Sequence, residues 1–225
     1  MGAQSAIVLD DTSTYGKGLF NQFKAAADLK KLKVLSYYSE TTNFAQVVAD
    51  IQKNKPDVVY FAGNADVGVP FLKAIRAAGL ELPFMGADGI DSEQFRKGAG
   101  QDAVGVFYTG IAAPPSFYSR SITFSNAFRT VYKRDPQVNQ MLGYDSLKVA
   151  TQALQDAVQG KKGMRPSRIQ VENALRNVKA RGLITGNLSF NSAGDRIGAY
   201  MSVLQVNKDL TSSLKKSLDV TLARK

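Results

Sequence analysis

The sequence predicts an α/β protein built on a parallel sheet with helices on both faces, and three observations carry that reading. Apolar runs of strand length alternate with amphipathic stretches of helix length. The runs recur about every 25 residues through the first part of the chain. They are also apolar throughout rather than alternating, as strands buried on both faces must be. With 225 residues and 44% hydrophobic content, the chain carries enough apolar side chain to build a core.

Ser5 to Leu9 is the first strand-like run, and Gly16 to Lys31 follows as a helix with Leu19, Phe20, Phe23, Ala26 and Ala27 at helical spacing. Val34 to Tyr38 reads as the second strand, and Phe44, Val47, Val48 and Ile51 mark the next helix. Asp57 to Ala62 is the third strand. The helix over Val67 to Ala78 turns Phe71, Leu72 and Ile75 inward and stops at Ala77-Ala78-Gly79, a glycine-type helix end. Leu82 to Gly86 opens a fourth strand and Gly105 to Thr109 a fifth.

After Pro114-Pro115 the pattern changes. Tyr118 to Lys133, Asn139 to Gln159 and Pro166 to Lys179 read as helices with no strand between them. In the second of these, Leu142, Ser146, Val149, Ala153, Leu154, Ala157 and Val158 form one stripe, which requires a partner surface. Gly186 to Phe190 and Ala199 to Val206 return to strand character, and the polar, basic tail from Asp209 ends in an expected edge strand over Leu218 to Leu222. This organisation predicts an α/β lobe over residues 1–112 with about 200–222, and a mainly helical segment over 113–199.

Composition narrows the chemistry. The chain has no His and no Cys, so the commonest transition-metal ligands and the usual base partners of a Ser nucleophile are missing, and we expect no metal site, no cofactor and no catalytic residue. Gly16-Lys17-Gly18 supplies only Gly-x-Gly, without the third glycine of a dinucleotide loop. The formal charge of +10 comes from short, scattered groups: Lys30-Lys31, Lys161-Lys162 with Arg165 and Arg168, and Lys215-Lys216 with Arg224-Lys225. None is interleaved with aromatics as a stacking platform requires, so the charge reads as a solvated surface and no nucleic-acid partner is expected. No apolar run approaches the roughly 18 residues of a membrane span, so no membrane insertion is expected. Met1 to Ser5 leads straight into Ala6-Ile7-Val8-Leu9, without the pattern of an export signal.

Several ordered motifs point further. Asp10-Asp11-Thr12-Ser13-Thr14-Tyr15-Gly16-Lys17-Gly18, Asp57 to Gly63, Ile75 to Leu80 and Phe84-Met85-Gly86-Ala87-Asp88-Gly89 fall in sequence over roughly the first 110 residues. Together they resemble the leucine/isoleucine/valine-binding proteins of bacterial ABC importers, and Gly143-Tyr144-Asp145-Ser146 and Gly186 to Phe190 continue the likeness more loosely. The resemblance implies a type I periplasmic-binding fold, in which two Rossmann-like lobes hold a ligand in the cleft between them. It implies a periplasmic location, an amino acid ligand and an ABC permease as partner. In such proteins a first lobe precedes the segment matched here, so the resemblance implies that Met1 begins where the second lobe begins. The helices of 113–199 are then the remnant of the other lobe.

Ligands of open α/β sheets bind beyond the carboxyl ends of the strands, which singles out Tyr15, Asn64 and Asp88. Asp88, between Gly86 and Gly89, has two readings: acceptor for a ligand's α-ammonium, where the resemblance places that acid, or cap of the helix that begins near Ser92. Tyr15 reads as a pocket wall offering its hydroxyl to the ligand, or as an aromatic packed over the loop. Thr12 and Ser13 either line the cleft or cap the first helix. Asn64 departs from some well-known members, which place an aromatic there, and this suits a more polar ligand. The family's donors to the ligand carboxylate are hydroxyls and amides of the first lobe, so the resemblance implies only a half-site in this chain.

Two further expectations are open to test. The same fold serves as a sensor in regulators and receptor ectodomains, which makes a ligand-sensing domain the alternative to transport. The stripe over Leu142 to Val158 is expected to need cover, and a homodimer through exposed helices would supply it.

Overall fold

The computed structural model describes residues 2–159 and 164–220. Lys161-Lys162, Arg224-Lys225 and the end of the strand expected at Leu218 to Leu222 lie outside the described residues. The described residues fall into two compact units, one formed by 2–111 with 202–216 and the other by 112–201 with 217–220.

The first unit follows the expected alternation. Strand β1 (Ser5–Asp10) leads to α1 (Thr14–Lys30), β2 (Lys33–Ser39), α2 (Ala45–Asn54), β3 (Val58–Ala62), α3 (Ala65–Ala77), β4 (Phe84–Gly86), α4 (Glu93–Ala99) and β5 (Phe107–Gly110). All the pairs among these five strands are parallel, β1 with β2 and β3, β3 with β4, and β4 with β5. Two later strands, β8 (Tyr200–Val206) and β9 (Ser212–Asp219), complete a seven-stranded sheet of order β2-β1-β3-β4-β5-β8-β9, with β8 antiparallel to β5.

Burial explains which strands are central. Ile7, Val8, Leu9, Val59, Phe61 and Ala62 are fully buried, because β1 and β3 lie inside the sheet and are covered on both faces. On one face Ile7, Leu9, Phe61, Phe71, Ile75, Phe84 and Phe95 form the main cluster. On the other, Val8, Tyr60 and Ala62 meet Leu19, Phe20 and Phe23 of α1. Strand β2 is a sheet edge, and all of its residues are exposed or half-buried. The last edge strand begins at Ser212 rather than Leu218. Its exposed Lys215 and Lys216 suit an edge that must not pair with another chain.

The order β2-β1-β3 places β1 and β3 side by side although they are not consecutive, and the connections leave them in opposite directions along the sheet. Such a switch point opens a crevice at the carboxyl ends of the two strands.

In the second unit, α5 (Ser121–Tyr132), α6 (Val138–Gln159) and α7 (Arg168–Arg176) occur as expected, and Ser167 with Gln170 forms a capping box on α7. A short hairpin, β6 (Ala180–Leu183) with β7 (Gly186–Leu188), follows. The buried face of α6 differs from the expected stripe: it runs Met141, Asp145, Val149, Ala153 and Ala157, while Ser146 and Leu154 are exposed. The reason is Asp145. Its carboxylate accepts the Ile184 N–H at 2.9 Å, the Thr185 N–H at 2.9 Å and the Thr185 hydroxyl at 2.8 Å, so the helix face carrying Asp145 is turned to the hairpin. Val149 then packs with Val178, Ala180 and Leu183, so part of the stripe is covered within its own unit while its Leu154 remains exposed, as does Leu147 outside the stripe.

Candidate functional site

At the switch point the loops after β1, β3 and β4 come into contact. Two adjacent acids mark the end of β1, Asp10 as its last residue and Asp11 as the first of the loop. Asp10 is fully buried; its Oδ1 accepts the Thr12 N–H at 2.6 Å and the Ser39 hydroxyl at 2.8 Å, and its Oδ2 accepts the Tyr37 hydroxyl. Burial, and then the bond to Asp10, pushes the Tyr37 phenol up to about 12. These bonds hold Thr12 at a φ of 63°, a left-handed conformation uncommon for a β-branched residue.

Asp11 points the other way. Its Oδ1 accepts the N–H of Ser13 at 3.1 Å and the Ser13 hydroxyl, and its Oδ2 accepts both the backbone N–H of Asn64 at 2.9 Å and Asn64 Nδ2 at 3.0 Å. Burial works to raise the Asp11 carboxyl, but the bonds from Ser13 and Asn64 outweigh it and hold the group below the usual carboxylate value.

Ser13 is also the N-cap of α1, its Oγ accepting the Gly16 N–H at 2.9 Å. Tyr15 is the second residue of that helix. It reaches the turn after β4, where its hydroxyl donates to Asp88 Oδ1 at 2.6 Å and accepts the Gly89 N–H at 3.1 Å. Burial, followed by the bond to Asp88, raises the Tyr15 phenol above the ordinary tyrosine range. Beneath the pair, burial and then the Asp88 charge push Tyr60 up to about 12. The close approach of the loops needs glycine: a β-carbon at Gly89 would collide with the Gly63 carbonyl, and one at Gly63 would lie 2.6 Å from Asp11 Cβ and Cγ.

The residues singled out from the sequence are therefore brought together unequally. Tyr15 and Asp88 bond to each other. Asp88 does not cap the following helix, a task done by Ser92, whose hydroxyl accepts the Phe95 N–H at 3.1 Å. Ser13 and Asn64 spend polar groups on Asp11. Thr12 is exposed, with its N–H bound to Asp10. Sequence reasoning missed Asp10 and Asp11 as parts of the site. The available signal was an Asp-Asp pair directly after a buried strand and before a Thr-Ser-Thr run, a pattern in which carboxylates bond to nearby backbone N–H groups.

Chemically the Tyr15–Asp88 pair is rich in acceptors. The hydroxyl hydrogen is committed to Asp88, and Asp88 keeps the lone pairs of its second oxygen, so the pair suits a donor of positive charge. Among the described residues no group of three or more metal-ligating acids is present, and no helix is long and apolar enough to cross a membrane.

The profile described as periplasmic binding protein matches residues 1–211. The chain belongs to the periplasmic binding protein family. A leucine-, isoleucine-, valine-, threonine- and alanine-binding protein of Pseudomonas aeruginosa is 24% identical over 210 residues, 91% of this chain and 53% of that protein. A Leu/Ile/Val-binding protein of Escherichia coli is 28% identical over 109 residues, 47% of this chain and 30% of that protein. Among solved structures, a leucine-binding protein of Thermotoga maritima matches with a TM-score of 0.84 at 20% identity, covering 97% of this chain and 61% of its own. A branched-chain amino acid transporter substrate-binding protein of Streptococcus pneumoniae, solved with isoleucine, matches with a TM-score of 0.81 at 19% identity, covering 98% of this chain and 61% of its own. These structural likenesses establish the type I periplasmic-binding fold. The chain spans less than two thirds of the length of these relatives.

Proposed function

We propose that this chain supplies one wall of an amino-acid site in the solute-binding component of a periplasmic ABC importer, and that it binds without catalysing a reaction. The observation that carries the reading is the Tyr15–Asp88 pair at the carboxyl ends of the sheet, beside the switch point between β1 and β3. Asp88 receives the α-ammonium of the ligand through charge-assisted hydrogen bonds, and Tyr15 orients the carboxylate and walls the pocket. The family membership and the relatives' binding of branched-chain amino acids support this ligand class.

A zwitterion also needs donors for its carboxylate. The acceptor-rich set of Tyr15 and Asp88 does not meet that need, so a facing lobe completes the site and the ligand lies in the cleft between them. The same reading makes an ABC permease the receiver of the ligand. Calorimetric titration with leucine, isoleucine and valine, set beside their N-acetyl derivatives, tests the assignment in a polypeptide carrying both lobes. Binding of the free amino acids with loss of the N-acetyl forms is expected; equal binding of both would remove Asp88 from the role of ammonium acceptor.

A further inference from the structure

We propose that Asp11 is a positioning residue for this site: its carboxylate, gripped by Ser13 on one side and Asn64 on the other, sets where the Tyr15 hydroxyl stands relative to Asp88. The inference rests on the reading of Tyr15 and Asp88 as the ammonium-binding pair.

Asp11 is 7% exposed, and a carboxylate offers about four lone-pair sites. Two donors of Ser13 and two of Asn64 fill them, so Asp11 has nothing left to offer a ligand. Its partners open two different helices. Ser13 is the N-cap of α1, and Asn64 stands at the N-cap of α3 yet makes no side-chain cap bond there, because its amide is turned to Asp11. Tyr15 lies two residues beyond Ser13, so the angle at which α1 leaves β1 decides where its ring goes. On the other side Asn64 follows Gly63, whose carbonyl abuts Gly89 next to Asp88.

The contacts therefore close a ring, running from Asp88 and Gly89 to Gly63 and Asn64, through Asp11 to Ser13 and Tyr15, and back to Asp88. Asp11 is the link that joins its two halves by side-chain bonds. Ser13 and Asn64, singled out from the sequence as ligand residues, act on the ligand through this link. Asp11→Asn turns one acceptor oxygen into a donor facing other donors, and the grip fails on at least one side.

The test is a tyrosine ring-carbon NMR spectrum of the 225-residue chain labelled at Tyr Cζ, with the Tyr15 signal assigned by its loss in Tyr15→Phe. In Asp11→Asn the Tyr15 signal is expected to move toward its position in Asp88→Asn, where the acceptor anion is gone, while the signal of Tyr200, a residue of the other unit, stays in place. Ser13→Ala and Asn64→Ala, which each remove one donor, are expected to move it part of the way, and they give the answer should Asp11→Asn fail to fold. In a two-lobed polypeptide the affinity for leucine falls roughly tenfold in Asp11→Asn, as expected when buried donors lose their acceptor. A lowered melting temperature with the Tyr15 signal and the affinity both unchanged would overturn the proposal and leave Asp11 a purely structural residue. If the unmodified two-lobed protein binds no amino acid, the function assigned above fails, while the Tyr15 signal still decides the role of Asp11.

Discussion

The hydroxyl of Tyr15 donates to Asp88 Oδ1 at 2.6 Å, joining side chains 73 residues apart at the ends of β1 and β4. Neither residue belongs to a strand, yet the parallel sheet delivers both loops to the same edge, because every strand from β1 to β5 points its carboxyl end the same way. The pair makes the alkaline behaviour of the protein readable. A phenol whose folded pKa lies above its unfolded value near ~10 stabilises the fold fully below that pH and loses the contribution as pH rises through the folded value. Tyr15 is raised, and Tyr37 and Tyr60 are each pushed up to about 12, so stability is expected to fall from about pH 10 upward. Thermal melts across this range should show a shallower alkaline decline in Tyr15→Phe.

Asp88→Ala removes the acceptor for the Tyr15 hydroxyl and, under the proposed function, for the ligand ammonium. Affinity for branched-chain amino acids is expected to fall by about 1.5–3 kcal/mol, the scale of a hydrogen bond to a charged group. Calorimetry showing an unchanged dissociation constant would count against the assignment.

Gly63→Ala places a methyl 2.6 Å from Asp11 Cβ and Cγ and 2.7 Å from Cζ of Phe61, a side chain with no exposure and no room to withdraw. Overpacking of this kind costs about 1–3 kcal/mol. Urea unfolding should report a lower midpoint for this variant than for Gly18→Ala, where a β-carbon meets nothing within 4 Å.

Asp145→Ala strips the acceptor from three donors of the β6–β7 hairpin, two of them backbone N–H groups. The expected cost is at least about 2 kcal/mol, because unsatisfied buried donors pay their full desolvation. Hydrogen exchange should show faster exchange of the Ile184 and Thr185 amides, with those of β1 and β3 unchanged.

The α/β class and the first five strands were legible because burial on both faces imposes a strong signal on a sequence. Runs such as Ala6-Ile7-Val8-Leu9 and Val58-Val59-Tyr60-Phe61-Ala62 are apolar at consecutive positions, and only a sheet interior accommodates that. The strand-end rule likewise led to Tyr15 and Asp88, since it depends on chain order alone. The buried face of α6 was not legible. Periodicity assigns an acid to solvent, whereas Asp145 is buried because a hairpin some 40 residues away supplies three donors to it.

By itself, the sequence determined the layers of the fold, the end of the sheet at which Tyr15, Asn64 and Asp88 lie and the family to which the chain belongs. Local apolar pattern and short ordered motifs suffice for these. Only the tertiary structure decided which polar groups of the loops face each other: that Asn64 turns to Asp11, that Ser92 rather than Asp88 caps α4, and that Tyr15 spans to Asp88. A hydrogen bond depends on distances of a few tenths of an ångström between groups far apart in the chain, and those distances follow from how the helices and strands pack, which no local pattern encodes.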